Sequence, residues 1–69
     1  MIKTTLAREM HFRASVDGLP REHALHTAAD VLEEAYWAFV NLADTDNARG
    51  LNSAWAKANR VFVEYQGAH

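Results

Sequence analysis

The chain has 69 residues, 49% of them hydrophobic and 23% charged, with a formal net charge of −2, a balance that excludes a disordered or membrane-embedded chain and fits one small domain over residues 1–69. Cysteine is absent, so neither a disulfide nor a thiolate zinc site can staple a domain this small, and self-association becomes the expected source of further burial. The longest uncharged apolar run, AYWAFV at 35–40, is far short of the roughly 20 residues needed to cross a bilayer. The opening MIKTTLAREM also lacks the apolar core of a secretory signal, so a cytoplasmic location is expected.

Charge is unevenly placed. Residues 1–19 carry three basic and two acidic side chains, residues 20–46 one and six, and residues 47–69 three and one. An acidic middle segment therefore faces a basic final segment, which favours their pairing as a hairpin, although each exposed ion pair contributes little.

The first element expected is a short strand over about 9–16. In EMHFRASV, Met10, Phe12, Ala14 and Val16 alternate with His11, Arg13 and Ser15, the period of a half-buried strand. Ile2, Leu6 and Met10 also recur at four, so a helix is the alternative here. DGLP ends the element, with Gly18 supplying a turn and Pro20 suited to a first helical position.

A long helix is expected over about 21–44, a stretch free of Gly and Pro. Stepping about 100° per residue from Leu25, the apolar side chains, including Leu32, Tyr36 and Phe39, fill an arc of roughly 200°. One antiparallel helix covers only part of such an arc, leaving the remainder to a strand or a second subunit. ADTDNARG is the connection, where Asp46 or Asn47 is placed to cap a second helix over about 48–66. That helix carries Leu51, Trp55, Phe62 and Tyr65 on one stripe, and Lys57, Arg60 and Glu64 on the other side. The expected architecture is mainly α: a short N-terminal strand, then an antiparallel helical hairpin, assembled as a homodimer whose core includes Leu25, Leu32, Tyr36, Phe39, Trp55, Phe62 and Tyr65.

Tyr36 and Trp37 are neighbours, and neighbours on a helix diverge by about 100°. Tyr36 falls in the apolar arc, whereas Trp37 falls among Asp30, Glu33, Glu34 and Asn41. An exposed indole on an acidic face is the kind of anchor that dominates protein interfaces. Trp37, Glu33, Glu34 and Asn41 are thus the expected partner-binding residues, with Arg60 and Lys57 as secondary contacts. A solvated helix face is the plainer reading of the same residues.

Chemistry-bearing patterns are sparse. His23, His26 and Asp30, with Glu33 a turn further, share a face at spacings suited to a divalent metal, although such faces are usually just hydrated. Neither Ser15 nor Ser53 adjoins a histidine in sequence, and no glycine-rich phosphate loop is present. A non-enzymatic protein without a cofactor is expected.

The order strand, LPRE, helix, turn, helix, with RGLNSAW opening the second helix, resembles the Arc-type ribbon-helix-helix repressors. That resemblance implies a dimeric DNA-binding repressor, with His11, Arg13 and Ser15 reading bases and Asn52 and Ser53 contacting phosphate. The acidic long helix and the single ribbon arginine depart from it, since phosphate affinity comes from clustered Lys and Arg. By size and architecture alone the chain is also similar to small phage host-takeover proteins of the anti-quorum-sensing type. That similarity implies a homodimer that binds and regulates or inhibits a host protein, such as a transcriptional regulator or a defence component.

Overall fold

The structure is a computed structural model that describes residues 2–68, with side chains from residue 5 onward. Among these residues there are three helices and no strand: α1 (Ile2–Val16), α2 (Ala24–Asn41) and α3 (Thr45–Gly67). At 1.5 Å per residue α3 is about 34 Å long, close to the longest dimension of the 37 × 20 × 18 Å molecule. Both α1 and α3 pack chiefly on α2 and meet each other over a much smaller area.

The strand expected over 9–16 is helical, and the strand-plus-hairpin architecture is corrected to a three-helix bundle. Ala7, Met10 and Ala14 are fully buried at helical spacing, whereas Phe12 and Val16, which completed the apparent alternation, are 71% and 63% exposed. Met10 and Ala14 fit both periods, and Ala7 decides between them. A solitary strand would also have left its backbone N–H and C=O groups without a ladder, a demand that a helix meets internally.

The ribbon of the Arc-type resemblance disappears with the strand. Arg13 and Ser15 lie on the exposed side of α1, His11 turns toward α2, and Asn52 and Ser53 lie well inside α3 rather than at its opening. Helices α1 and α3 cover the middle of the wide arc of α2, so α1 supplies part of the cover that the hydrophobic pattern left to a strand or a second subunit, while Val31, Val40 and Leu42 at the edges of the arc stay exposed.

The joints explain the hairpin turns. After α1, Gly18 adopts a left-handed φ of 69°. Its N–H donates to Ser15 O at 3.1 Å, and Leu19 N–H donates to Ala14 O at 2.9 Å, the paired bonds of a Schellman stop. Pro20 does not open α2; its carbonyl accepts from His23 N–H at 3.0 Å in a turn that precedes the helix. His23 is the N-cap of α2, its Nδ1 accepting from Leu25 N–H at 3.1 Å.

The cap of α3 is Asp44, upstream of the expected Asp46 or Asn47. Its carboxylate accepts from Asn47 N–H at 2.8 Å, while Asn47 Nδ2 donates to Leu42 O at 2.7 Å. These two bonds satisfy an orphan amide and an orphan carbonyl at one corner.

The core is built on small side chains. Ala7, Ala14, Ala28, Ala29, Ala54 and Ala58 are buried together with Met10, Leu25, Leu32 and Leu51. Tyr36, Phe39, Trp55, Phe62 and Tyr65 pack against this set and are partly buried. At the far end, the Tyr65 hydroxyl donates to the Asp17 carboxylate, joining α3 to the end of α1.

Candidate functional site

Two features on the α2 surface carry chemistry. The first is the face around Trp37. Tyr36 is half-buried and Trp37 is 58% exposed, as the helical geometry of neighbouring residues requires. The two rings meet edge to face with centroids 5.3 Å apart. Trp37 lies on an open face of α2 together with Asp30, Glu33, Glu34, Ala38 and Asn41. Lys57 and Arg60 are exposed on α3 and are not part of this face; Lys57 borders a separate depression between α2 and α3 with Val31 and Val61.

The second feature joins α1 to α2. His11 Nε2 lies 3.2 Å from Asp30 Oδ1 and 3.2 Å from Glu33 Oε1. Its Nδ1 lies 2.7 Å from Nδ1 of His26, which is 8% exposed. The two imidazoles are tilted by 31° with centroids 4.9 Å apart. Arg21 Nη2 donates to the other Asp30 oxygen, Oδ2, at 2.7 Å. The Nδ1–Nδ1 contact requires one ring to donate and the other to accept, and Nε2 of His11 faces the two carboxylates.

The electrostatics follow from this placement. Burial lowers the pKa of His26 below the ordinary histidine value, and the neighbouring His11 adds to the effect. The hydrogen bond from Arg21 holds the Asp30 carboxyl below the usual aspartate value. The Asp17 carboxylate that accepts from Tyr65 raises the phenol above the usual tyrosine value.

The metal-capable set read along the sequence is therefore rearranged. Asp30 and Glu33 remain, His11 from α1 joins them, and His26 stands behind His11. His23 is occupied as a helix cap and packs edge to face on Tyr65 with centroids 5.7 Å apart. The spacing of His26, Asp30 and Glu33 on one helix was legible, but the contribution of His11 was not, because it depends on how α1 crosses α2.

A third surface lies between α1 and α3, where Phe12, Val16 and Phe62 form an apolar groove edged by Arg8, Glu9 and Arg13. No helix among the described residues is long and apolar enough to cross a membrane. The chain matches no family model, no curated protein and no solved structure.

Proposed function

We propose that the chain is a non-enzymatic interaction protein that regulates or inhibits a cellular protein by docking it against the Trp37 face of α2. The exposure of Trp37 on an acidic face of α2 carries this reading. An indole desolvated at the centre of an interface contributes about 2 kcal/mol or more by the usual alanine-scan scale. Glu33, Glu34 and Asn41 around it select a partner surface that offers an apolar pocket bordered by Lys or Arg. Self-association is part of the same proposal, and the Phe12–Val16–Phe62 groove is the surface on which it would occur.

The test is a comparative capture from lysate with wild-type protein and Trp37→Ala as baits. A protein held by the wild type and released by the variant, confirmed by direct binding of the purified pair, supports the reading. Identical captures by both baits would refute it. Sedimentation across a concentration range tests the assembly, and a folded monomer at every concentration would remove self-association from the proposal.

A further inference from the structure

We propose that His11 Nε2, Asp30 Oδ1 and Glu33 Oε1 form a binding site for one first-row divalent cation of the zinc class, which would bridge α1 to α2. Ligand bonds of about 2.1 Å place neighbouring donor atoms about 3.0 Å apart in an octahedral shell and about 3.4 Å apart in a tetrahedral one. Both separations from His11 Nε2, each 3.2 Å, fall between those values. All three donor atoms lie within 4.8 Å of one another, and rotation of the half-exposed Glu33 closes the remaining gap.

The supporting groups distinguish this arrangement from a patch of acidic surface. A metal-bound imidazole ordinarily donates its second N–H to an acceptor that fixes its orientation. His26, more than nine-tenths buried, stands 2.7 Å from His11 Nδ1 and can take that role. Arg21 fixes Asp30 through Oδ2, leaving Oδ1 directed at the site. The donor set of one imidazole and two carboxylates suits zinc, manganese or ferrous iron better than a thiolate-seeking ion. Three protein ligands on a partly exposed face leave at least one coordination position to water. A metal on His11 Nε2 requires the proton of that ring on Nδ1, from which it donates to His26 Nδ1, while His26 carries its own proton on Nε2, so both rings stay neutral.

The site does not depend on Trp37, and its test is independent of partner capture. Zinc chloride titrated calorimetrically into the full chain is expected to bind at one ion per chain and to raise the melting temperature, with chelator reversing the rise. Affinity is expected to fall tenfold or more in Glu33→Gln and in His11→Gln, with circular dichroism confirming that each remains folded. His23→Asn, which preserves a capping side chain, should bind zinc like the wild type. Nitrogen-15 shifts of the imidazoles should place the His11 proton on Nδ1 only when zinc is bound. Absence of saturable binding, or equal affinity in wild type and Glu33→Gln, would overturn the proposal.

Discussion

Leu32 and Trp37 lie little more than one turn apart on α2 and predict opposite outcomes when cut back to alanine. Leu32 is fully buried and belongs to the core between the three helices. Removing its branch loses transfer energy and leaves a cavity, together costing about 2–5 kcal/mol. A domain of this length has a total stability of about 3–10 kcal/mol at the usual value per residue, so Leu32→Ala consumes a large fraction of it.

Trp37, at 58% exposure, has already left most of its ring in water. Its truncation is expected to cost about 1 kcal/mol or less, because the better helix propensity of alanine offsets part of the lost contact. Urea denaturation of both variants, with Leu32→Val as a graded step of about 1 kcal/mol for one methylene, measures the difference. A Trp37→Ala loss equal to that of Leu32→Ala would show that the indole belongs to the fold, and would remove the basis for reading it as an anchor.

The glycines should separate by sign. Gly18→Ala, at a left-handed φ of 69°, is expected to destabilise by about 1 kcal/mol, whereas Gly50→Ala, within α3 and with open space around its missing Cβ, should stabilise by a similar amount. Thermal melts of the pair check this. Asp44→Ala removes the cap of α3 and should cost about 0.5–2 kcal/mol, with Asp44→Ser recovering most of it. Tyr65 has a raised folded pKa, so its bond to Asp17 is fully present below the ordinary tyrosine value and is lost as pH rises through the folded value. Spectrophotometric titration should show one tyrosine moving to lower pH in Asp17→Asn; an unchanged titration would contradict the contact.

The two long helices were legible because their apolar residues repeat over many turns and turn-forming residues interrupt them at DGLP and ADTDN. The first helix was legible only as the alternative, through Ile2, Leu6 and Met10, since Met10, Phe12, Ala14 and Val16 imitate the period of a strand over a short window. Its buried line, Ala7, Met10 and Ala14, consists of residues too small or too flexible to announce a face. Expecting Asp46 or Asn47 as the cap missed Asp44, whose carboxylate reaches forward to Asn47 from a position just ahead of the helix. The separation of Tyr36 from Trp37 could be read from helical rotation alone. The meeting of His11 with His26, Asp30 and Glu33 could not, because local periodicity carries no information about residues 15 or more positions apart.

Six of the ten buried apolar side chains among the described residues are alanines, and this composition governs how the protein can vary. A seam of single methyl groups offers few atoms to delete, so the sequence has little to lose there by shrinking. Growth is different: even one branched side chain at Ala29 or Ala58 would wedge neighbouring backbones apart. Drift along the seam is therefore confined to the smallest side chains, while the outward helical faces stay free to diversify without disturbing the frame.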